Sequence, residues 1–525
     1  MERKPIEKIL IVGAGSAGWM TAAYLNRALN IQGRNVEISL IESSDIDTIG
    51  VGEATVPMLQ GFFSFLGIPE EIWMSACNAT FKLAIRFQGW HDNGPDDYYW
   101  HTFGASPGTR GPVLDLSQYW LYDYMNGLTE LSYAKYMHEA VYACEEKKSP
   151  KPAFSQNNRS QPINYAYHLD AGLLTKMLRD YSKANGVNHY IGTINRIKND
   201  EKGWIKKVFT HDQKEIEADF YIDCTGFNSL LLGENMNIEF ESYSKYLICD
   251  KAIAIGTRYP ENDPYNELKG GLNSYTTAKA MKYGWTWHTP LISRDGNGYV
   301  YCSQFVSEMD AEKEFVNDIK DRGELTTARH IDFHTGKYKE SWKNNCLAIG
   351  LSAGFIEPME STGIALIQIG INTLLHYFPD KSCAPIFQAK YNEEMINFYE
   401  NIRDFICLHY TLTQREDTAF WKAIKYEVPV PDSLKEKLEE WRLLWDDMRG
   451  KYTMFGPFNH FSILAGMKYL PEAPLPIVGV YQKEQTQNRK QMIVSKGLQA
   501  SRNLPIHSEY FKQLRRIKQF QEEAF

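Results

Sequence analysis

Four short stretches of this chain carry residues whose types and spacing can do chemistry. In GAGSAG, residues 13–18, Gly13, Gly15 and Gly18 fall in the G-x-G-x-x-G pattern around Ser16 and Ala17. The first glycine of such a pattern permits a tight turn and the second lets backbone approach a pyrophosphate. The third lets a helix pack against a strand with its N-terminus toward the phosphates. FKLAIRF, 81–87, offers Lys82. Taken alone, it reads as a charge on a wetted strand face, and an amine on a strand can also position and polarise a small bound molecule. GWTWHTP, 284–290, sets Trp285 and Trp287 two residues apart, so a strand would point both to one side, as core or as the wall of a ring-binding site. In GFIEPMESTGI, 354–364, Glu357 and Glu360 precede Ser361, Thr362 and Gly363. Such a stretch starts a helix, its acids near free backbone amides, and the same exposed amides suit a halide.

The surrounding pattern supplies elements to position these groups. KILIVG, 8–13, is a continuous apolar run of strand length, SAGWMTAAYLNRAL reads as a helix, and VEISLIES, 36–43, reads as a second strand. Strand, turn, helix and strand make a βαβ unit whose second strand ends near Glu42, where an acid accepts hydrogen bonds from an adenosine ribose. FYIDCTG, 220–226, and NCLAIGLSAG, 345–354, read as strands returning to the same sheet. FKLAIRF alternates, which predicts a strand with Phe81, Leu83, Ile85 and Phe87 on one face and Lys82, Ala84 and Arg86 on the other. Beyond about residue 380, KYNEEMINFYENIRDFICLHYTL, SLKEKLEEWRLLWDDM and the tail SEYFKQLRRIKQFQEEAF show helical spacing, with LPEAPLPIV, 470–478, as a proline-punctuated connection.

Composition narrows the class. A chain of 525 residues exceeds one simple core and suggests two domains. Its apolar fraction of 43% and charged fraction of 23% are those of a globular protein, and a net charge of −8 argues against nucleic acid as a general partner. The N-terminus passes from charge straight into the first strand without a secretory pattern, and no apolar run approaches membrane-span length. The eight cysteines show no metal-ligand spacing, so no metal site is expected. These features are read as a cytoplasmic protein away from membranes. One dinucleotide turn, without the second that an enzyme reducing its own flavin with NAD(P)H often carries, points to bound FAD and reducing equivalents made elsewhere.

Taken with the glycine turn, VGEATVP (51–57), FKLAIRF, the tryptophan pair and GFIEPMESTGI resemble, in order and spacing, the flavin-dependent halogenases, the family of the tryptophan halogenases. The likeness covers nearly all of the first 380 residues and fades beyond. It implies an α/β fold: a Rossmann-like, flavin-monooxygenase-type FAD domain with a substrate-covering β-sheet over 1–380, and a mostly helical part over 381–525. It places Gly13, Gly15, Ser16, Ala17, Gly18, Glu42, Ala54 and Gly350 at the FAD, used as FADH2 with O2 and halide as co-substrates. Hypohalous acid formed at the flavin would be held by Lys82, through a hydrogen bond or as a haloamine. Glu360 would pair with Lys82 or take the ring proton, and Thr362 and Gly363 would bind halide. Trp285 and Trp287 would wall the flavin from the substrate, so that the oxidant meets halide first, and Glu357, Pro358 and Ser361 would line the passage.

His101 and Phe103, in YYWHTFG, would sandwich an aromatic substrate. Thr289 stands where the family's W-x-W-x-I-P motif has isoleucine, keeping the branched shape and adding a hydroxyl. The segment WDDMRGKYTMFGPFNHF does not align with the residues that hold a free amino acid's backbone in tryptophan halogenases, so an indole, a phenol or another electron-rich ring is equally expected. The resemblance implies a separate NAD(P)H-dependent flavin reductase as partner. A flavin hydroxylase or a binding-only flavoprotein is the alternative reading. The choice among chloride, bromide and iodide, the regiochemistry, and whether the chain forms a homo-oligomer are left open.

Overall fold

The computed structural model describes residues 4–33, 35–43, 52–104, 116–152, 163–445, 453–479 and 483–523. Val51 of VGEATVP and residues 446–452 of the C-terminal aromatic segment lie outside them.

The predicted βαβ unit is present. β1 (Lys8–Val12) leads through the glycine turn into α1 (Ser16–Asn30) and on to β2 (Glu37–Glu42). The turn needs glycine for steric reasons: Gly13 sits at φ +104°, and a Cβ on Gly18 would lie 1.9 Å from the Gly13 carbonyl oxygen. β3 (Gly52–Ala54), β4 (Thr80–Lys82), β5 (Ala84–Gln88), β6 (Tyr98–Thr102) and β7 (Ala166–Asp170) follow. Next come α2 (Ala171–Ala184), β8 (Asn188–Ile191) and β9 (Phe220–Asp223). β10 (Lys251–Arg258), β11 (Tyr275–Ala280), β12 (Gly284–Pro290) and β13 (Arg294–Tyr301) form a run of long strands, and β14 (Trp342–Lys343) and β15 (Cys346–Ala348) complete the set used here.

The first sheet has the order β14-β15-β9-β1-β2-β8, parallel except for β14. FYIDCTG and NCLAIGLSAG therefore do return to the β1 sheet, although the second is a strand only over Cys346–Ala348 before a 3-10 turn at Gly350–Ser352. α1 packs against α2 and against α3 (Gly363–His376). Below sit the apolar side chains of α1 and the first strands, Trp19, Ile9 and Ile11 among them, in the main core. This is the parallel, helix-covered arrangement expected of a dinucleotide domain.

A second sheet of eight strands joins Glu324–Leu325, β10, β13, β12, β11, β5 and β6 in that order, with Arg329–Asp332 pairing β10. A third, small sheet, β3-β7-β4, lies where the chain passes between the two larger ones. The lysine segment is the place where sequence reading and structure part. FKLAIRF is not one strand: it breaks at Leu83, so β4 pairs β7 in the small sheet while β5 pairs β6 and β11 in the large one. Alternation cannot reveal the break because nearly every side chain from Thr80 to Phe87 is buried whichever sheet it serves. Lys82, for which the bare segment alone suggests a wetted strand face, is 0% exposed.

The predicted C-terminal helices form as α4 (Pro385–Thr411), Asp432–Trp441 and α5 (His507–Glu523). Among the described residues no helix is long and apolar enough to cross a membrane.

On β12, Trp285 and Trp287 do face the same way, with ring centroids 6.1 Å apart. Trp287 stands opposite Gly298 of β13, and its indole occupies the space a side chain there would take: a Cβ on Gly298 would come within 1.9 Å of it. Gly298→Ala is expected to lower stability by about 1–3 kcal/mol through overpacking and to alter the tryptophan fluorescence. Urea denaturation followed by fluorescence checks both.

Candidate active site

The amine of Lys82 is held by two short bonds. Its Nζ donates to the Thr55 carbonyl at 3.0 Å and to the Ser361 hydroxyl at 2.7 Å. Thr55 is itself immobilised on β7, since its N–H and its hydroxyl both donate to the Tyr167 carbonyl and the Tyr167 N–H donates back to the hydroxyl. Ser361 takes φ +62°, a left-handed conformation that costs a serine on the order of 1 kcal/mol, and it closes the 3-10 turn Pro358–Glu360. That turn presents the hydroxyl to Lys82. The Phe103 ring centroid lies 5.1 Å from Nζ. Burial pushes the Lys82 pKa down to about 7, against the opposing pull of the Glu360 charge.

Glu360 does not bond Lys82. Its carboxylate accepts from His101 Nδ1 at 2.8 and 2.9 Å and from His409 Nε2 at 3.1 Å. Burial works to raise its pKa, but the charge of His101 and the hydrogen bonds from both histidines prevail and hold it at about 2. His409 is fully buried near the end of α4, where burial lowers its pKa, so its Nδ1 accepts from the Tyr99 hydroxyl at 2.6 Å while Nε2–H serves Glu360. His101, expected to stack on a substrate, thus has its Nδ1 committed to Glu360. Its ring lies 5.7 Å from Phe405 and 6.3 Å from Phe455. Phe405 and Phe455 stack on each other at 3.9 Å. Phe455, from the segment that resisted alignment, is thereby brought to the site.

Glu357 fixes the tryptophan wall. One of its oxygens accepts from the Trp285 indole N–H at 2.9 Å and from the Tyr410 hydroxyl at 2.8 Å. The other oxygen is buried and has no partner among the described residues. Burial raises its pKa to about 7, with the two donors acting the other way. Thr289 resolves the motif's departure, since its hydroxyl donates toward the carbonyls of Gly296 at 3.0 Å and Gly52 at 3.3 Å and so ties β12 to β3. One segment, 357–361, therefore positions both the wall and the lysine, while Pro358 at its head sets the turn.

His409, Tyr410, Tyr99, Thr55, Phe405 and Phe455 were not singled out from sequence. The one local signal was a histidine and a tyrosine on the buried stripe of α4, beside Phe405 and Ile406.

The glycine turn fits a dinucleotide. α1 opens at Gly15 with no side-chain cap, and nothing lies within 4 Å of where a Gly15 Cβ would stand, so room is left beside the helix start. Ser16, Ala17 and Ala54 are only partly buried. Gly350, at φ +74°, comes so close to α1 that a Cβ would lie 2.8 Å from Ala17. Glu42, at the end of β2, is bonded through Oε1 to His189 at 2.8 Å. α3 likewise begins at Gly363 without a side-chain cap, with Gly363 exposed and the Thr362 hydroxyl buried without a partner among the described residues. Free amides at a helix start beside an unsatisfied hydroxyl suit a small anion.

Removing the Glu357 carboxyl strips the Trp285 and Tyr410 donors of their shared acceptor. Glu357→Ala is expected to cost about 1–3 kcal/mol per bared donor, and Glu357→Gln, whose amide oxygen still accepts, far less. Chemical denaturation of both variants at pH 7 measures the difference.

Comparison with known proteins agrees with this geometry. A family model described as tryptophan halogenase matches residues 8–483. Tryptophan 6-halogenase SttH of Streptomyces toxytricini is 35% identical over 97% of this chain and 99% of its own length. Tryptophan 7-halogenase RebH of Lentzea aerocolonigenes is 37% identical over 90% of this chain and 91% of its own. The solved structure of SttH superposes with a TM-score of 0.89, covering 97% of this chain and 100% of that one. That of Xcc4156, a flavin-dependent halogenase from Xanthomonas campestris, is 33% identical and superposes with a TM-score of 0.88 over 97% of this chain and 99% of that one. The chain belongs to the tryptophan halogenase family of flavin-dependent halogenases.

Proposed function

We propose that this chain halogenates a flat, electron-rich ring of the indole type, with Lys82 carrying the halogen to it. The observation that carries the reading is the bonding of the buried Lys82 nitrogen. As a neutral amine it has two N–H donors, both used on Thr55 and Ser361, and a lone pair left over. As an ammonium it would present a third N–H for which no hydrogen-bond acceptor is found among the described residues.

FAD, held at Gly13, Gly15, Ser16, Ala17, Gly18, Glu42, Ala54 and Gly350, supplies hypohalous acid when bound in its reduced form with dioxygen and halide. The chain's own residues do the rest. Thr362 and the α3 amides at Gly363 hold the halide. Trp285, locked by Glu357, and Trp287 beside it exclude the organic substrate from the oxidising side. The Lys82 lone pair takes halogen from hypohalous acid, forming an N–halogen bond and releasing water. The halogen then passes to the ring carbon, the ring proton leaves to the Glu360 carboxylate, and an equal proton returns to the nitrogen. A ring carbon bearing both hydrogen and halogen is a strong acid, so a carboxylate held near 2 still accepts its proton.

Phe103 beside Lys82, with Phe405 and Phe455 near His101, provides aromatic surface to orient a flat substrate. SttH and RebH, which act on tryptophan by name, support an indole as the substrate class. The reduced flavin comes from a separate reductase, and the enzyme works in the cytoplasm.

The test supplies purified protein with FAD, a generic flavin reductase, NADH, air, each halide and a panel of indoles and phenols that includes tryptophan, beside Lys82→Ala. Mass spectrometry is expected to show halogenated product that disappears in the variant. Because Lys82 titrates near 7 and the amine is the reactive form, the rate of halogenation is expected to rise with pH through about 7. Oxygenated product without halogen would overturn the reading.

A further inference from the structure

The last helix of the chain reaches the strand that carries Lys82. β4 is the edge of its small sheet, so alternate N–H groups along its outer side have no strand to pair with. Two of these are satisfied from distant parts of the chain. The Leu83 N–H donates to the Ser274 carbonyl at 2.7 Å, and the Phe81 N–H donates to Nε2 of His507 at 3.1 Å. A backbone amide can only donate, so Nε2 must carry the lone pair and the ring proton must sit on Nδ1. His507 is 0% exposed, and burial, against the pull of the Leu272 and Asn273 backbone, lowers its pKa to about 4, which keeps the ring neutral at pH 7.

The Nδ1 of His507 is buried without a hydrogen-bond partner among the described residues, but the helix that carries the ring is well anchored. His507 opens α5, and the residues before it run alongside the segment 147–149. The Ser149 N–H donates to the Pro505 carbonyl at 2.9 Å and the His507 N–H to the Lys147 carbonyl at 2.8 Å. Phe81 fits among the rings of Tyr510 and Phe511, at 5.2 and 5.4 Å. Ser508 and Lys512 bond Glu267 at 3.1 and 2.5 Å, pinning the first two turns of α5. His507 and the rest of α5 lie beyond residue 483, where the match to the family model ends.

We propose that His507 is a positioning residue for Lys82: by accepting the Phe81 N–H it fixes the free edge of β4 and so sets where the next side chain meets Thr55 and Ser361. This rests on the role given to Lys82 above. His507 touches neither oxidant nor substrate, and its effect is on how faithfully the halogen is handed over.

Two variants separate positioning from bulk packing. His507→Phe keeps a ring and loses the acceptor, while His507→Gln restores an acceptor near the Nε2 position. Halogenated product per NADH consumed and hypohalous acid caught by a β-diketone trap in solution are measured for both, with hydrogen exchange of the peptide containing Phe81. His507→Phe is expected to lose roughly tenfold to a hundredfold in coupling, with the oxidant appearing in the trap, faster exchange at Phe81 and unchanged FAD affinity. His507→Gln is expected to recover most of the coupling. Full coupling in His507→Phe, or no recovery in His507→Gln, would overturn the proposal. If His507→Phe does not fold, His507→Gln alone decides, by the same coupling measurement. If the wild-type protein makes no halogenated product, the proposed function fails, and exchange at Phe81 still tests the pinning: an unchanged rate in His507→Phe overturns it.

Discussion

An amine taken wholly out of water is the constraint around which this protein is arranged. Desolvation disfavours the charged form of Lys82, and the structure does not compensate with a direct carboxylate partner. The acid whose charge acts on it, Glu360, has its hydrogen bonds from His101 and His409 and acts on Lys82 through space. The lysine is left with two neutral acceptors, which fix its direction without fixing its charge. A directly paired lysine would stay protonated through neutral pH and have no electrons to offer. The histidines that occupy Glu360 are therefore as much a part of the amine's chemistry as the groups that touch it.

Holding such an amine takes pieces from across the chain. Thr55 comes from the turn after β3, Ser361 from the loop before α3, and His409 from α4. The segment 357–361 joins them, since Glu357 reaches Trp285 and Tyr410 while Glu360 and Ser361 reach the histidines and Lys82. Trp285 and Lys82 are thus coupled through the five residues 357–361. A shift in one is felt in the other.

What the sequence made legible is what local physics dictates. Gly13 and Gly18 are forced by close backbone approach, and the facing of Trp285 and Trp287 follows from the two-residue period of a strand. Both could be read from a few neighbouring letters. The break at Leu83 could not, because the alternating pattern runs on while the chain changes sheets in a region buried on both sides. His409 gave only a helical core stripe, since its use depends on Tyr99 and Glu360 arriving from elsewhere. His507 was silent for a different reason: it recognises a backbone amide, and a backbone amide leaves no trace in residue type. Thr289, read as a tolerable departure, proved to tie two strands through carbonyl groups that no side-chain pattern displays.

The claim on which everything rests is the state of the Lys82 nitrogen. Protein carrying lysine labelled at the side-chain carbon and nitrogen, with Lys82→Ala to assign the signal, allows its titration to be followed directly by NMR. A midpoint near 7, moving lower in Glu360→Gln as the opposing charge is removed, is what the structure requires. A midpoint at the ordinary lysine value of about 10.5, unmoved by Glu360→Gln, would mean that Lys82 is a permanent cation and would contradict the account.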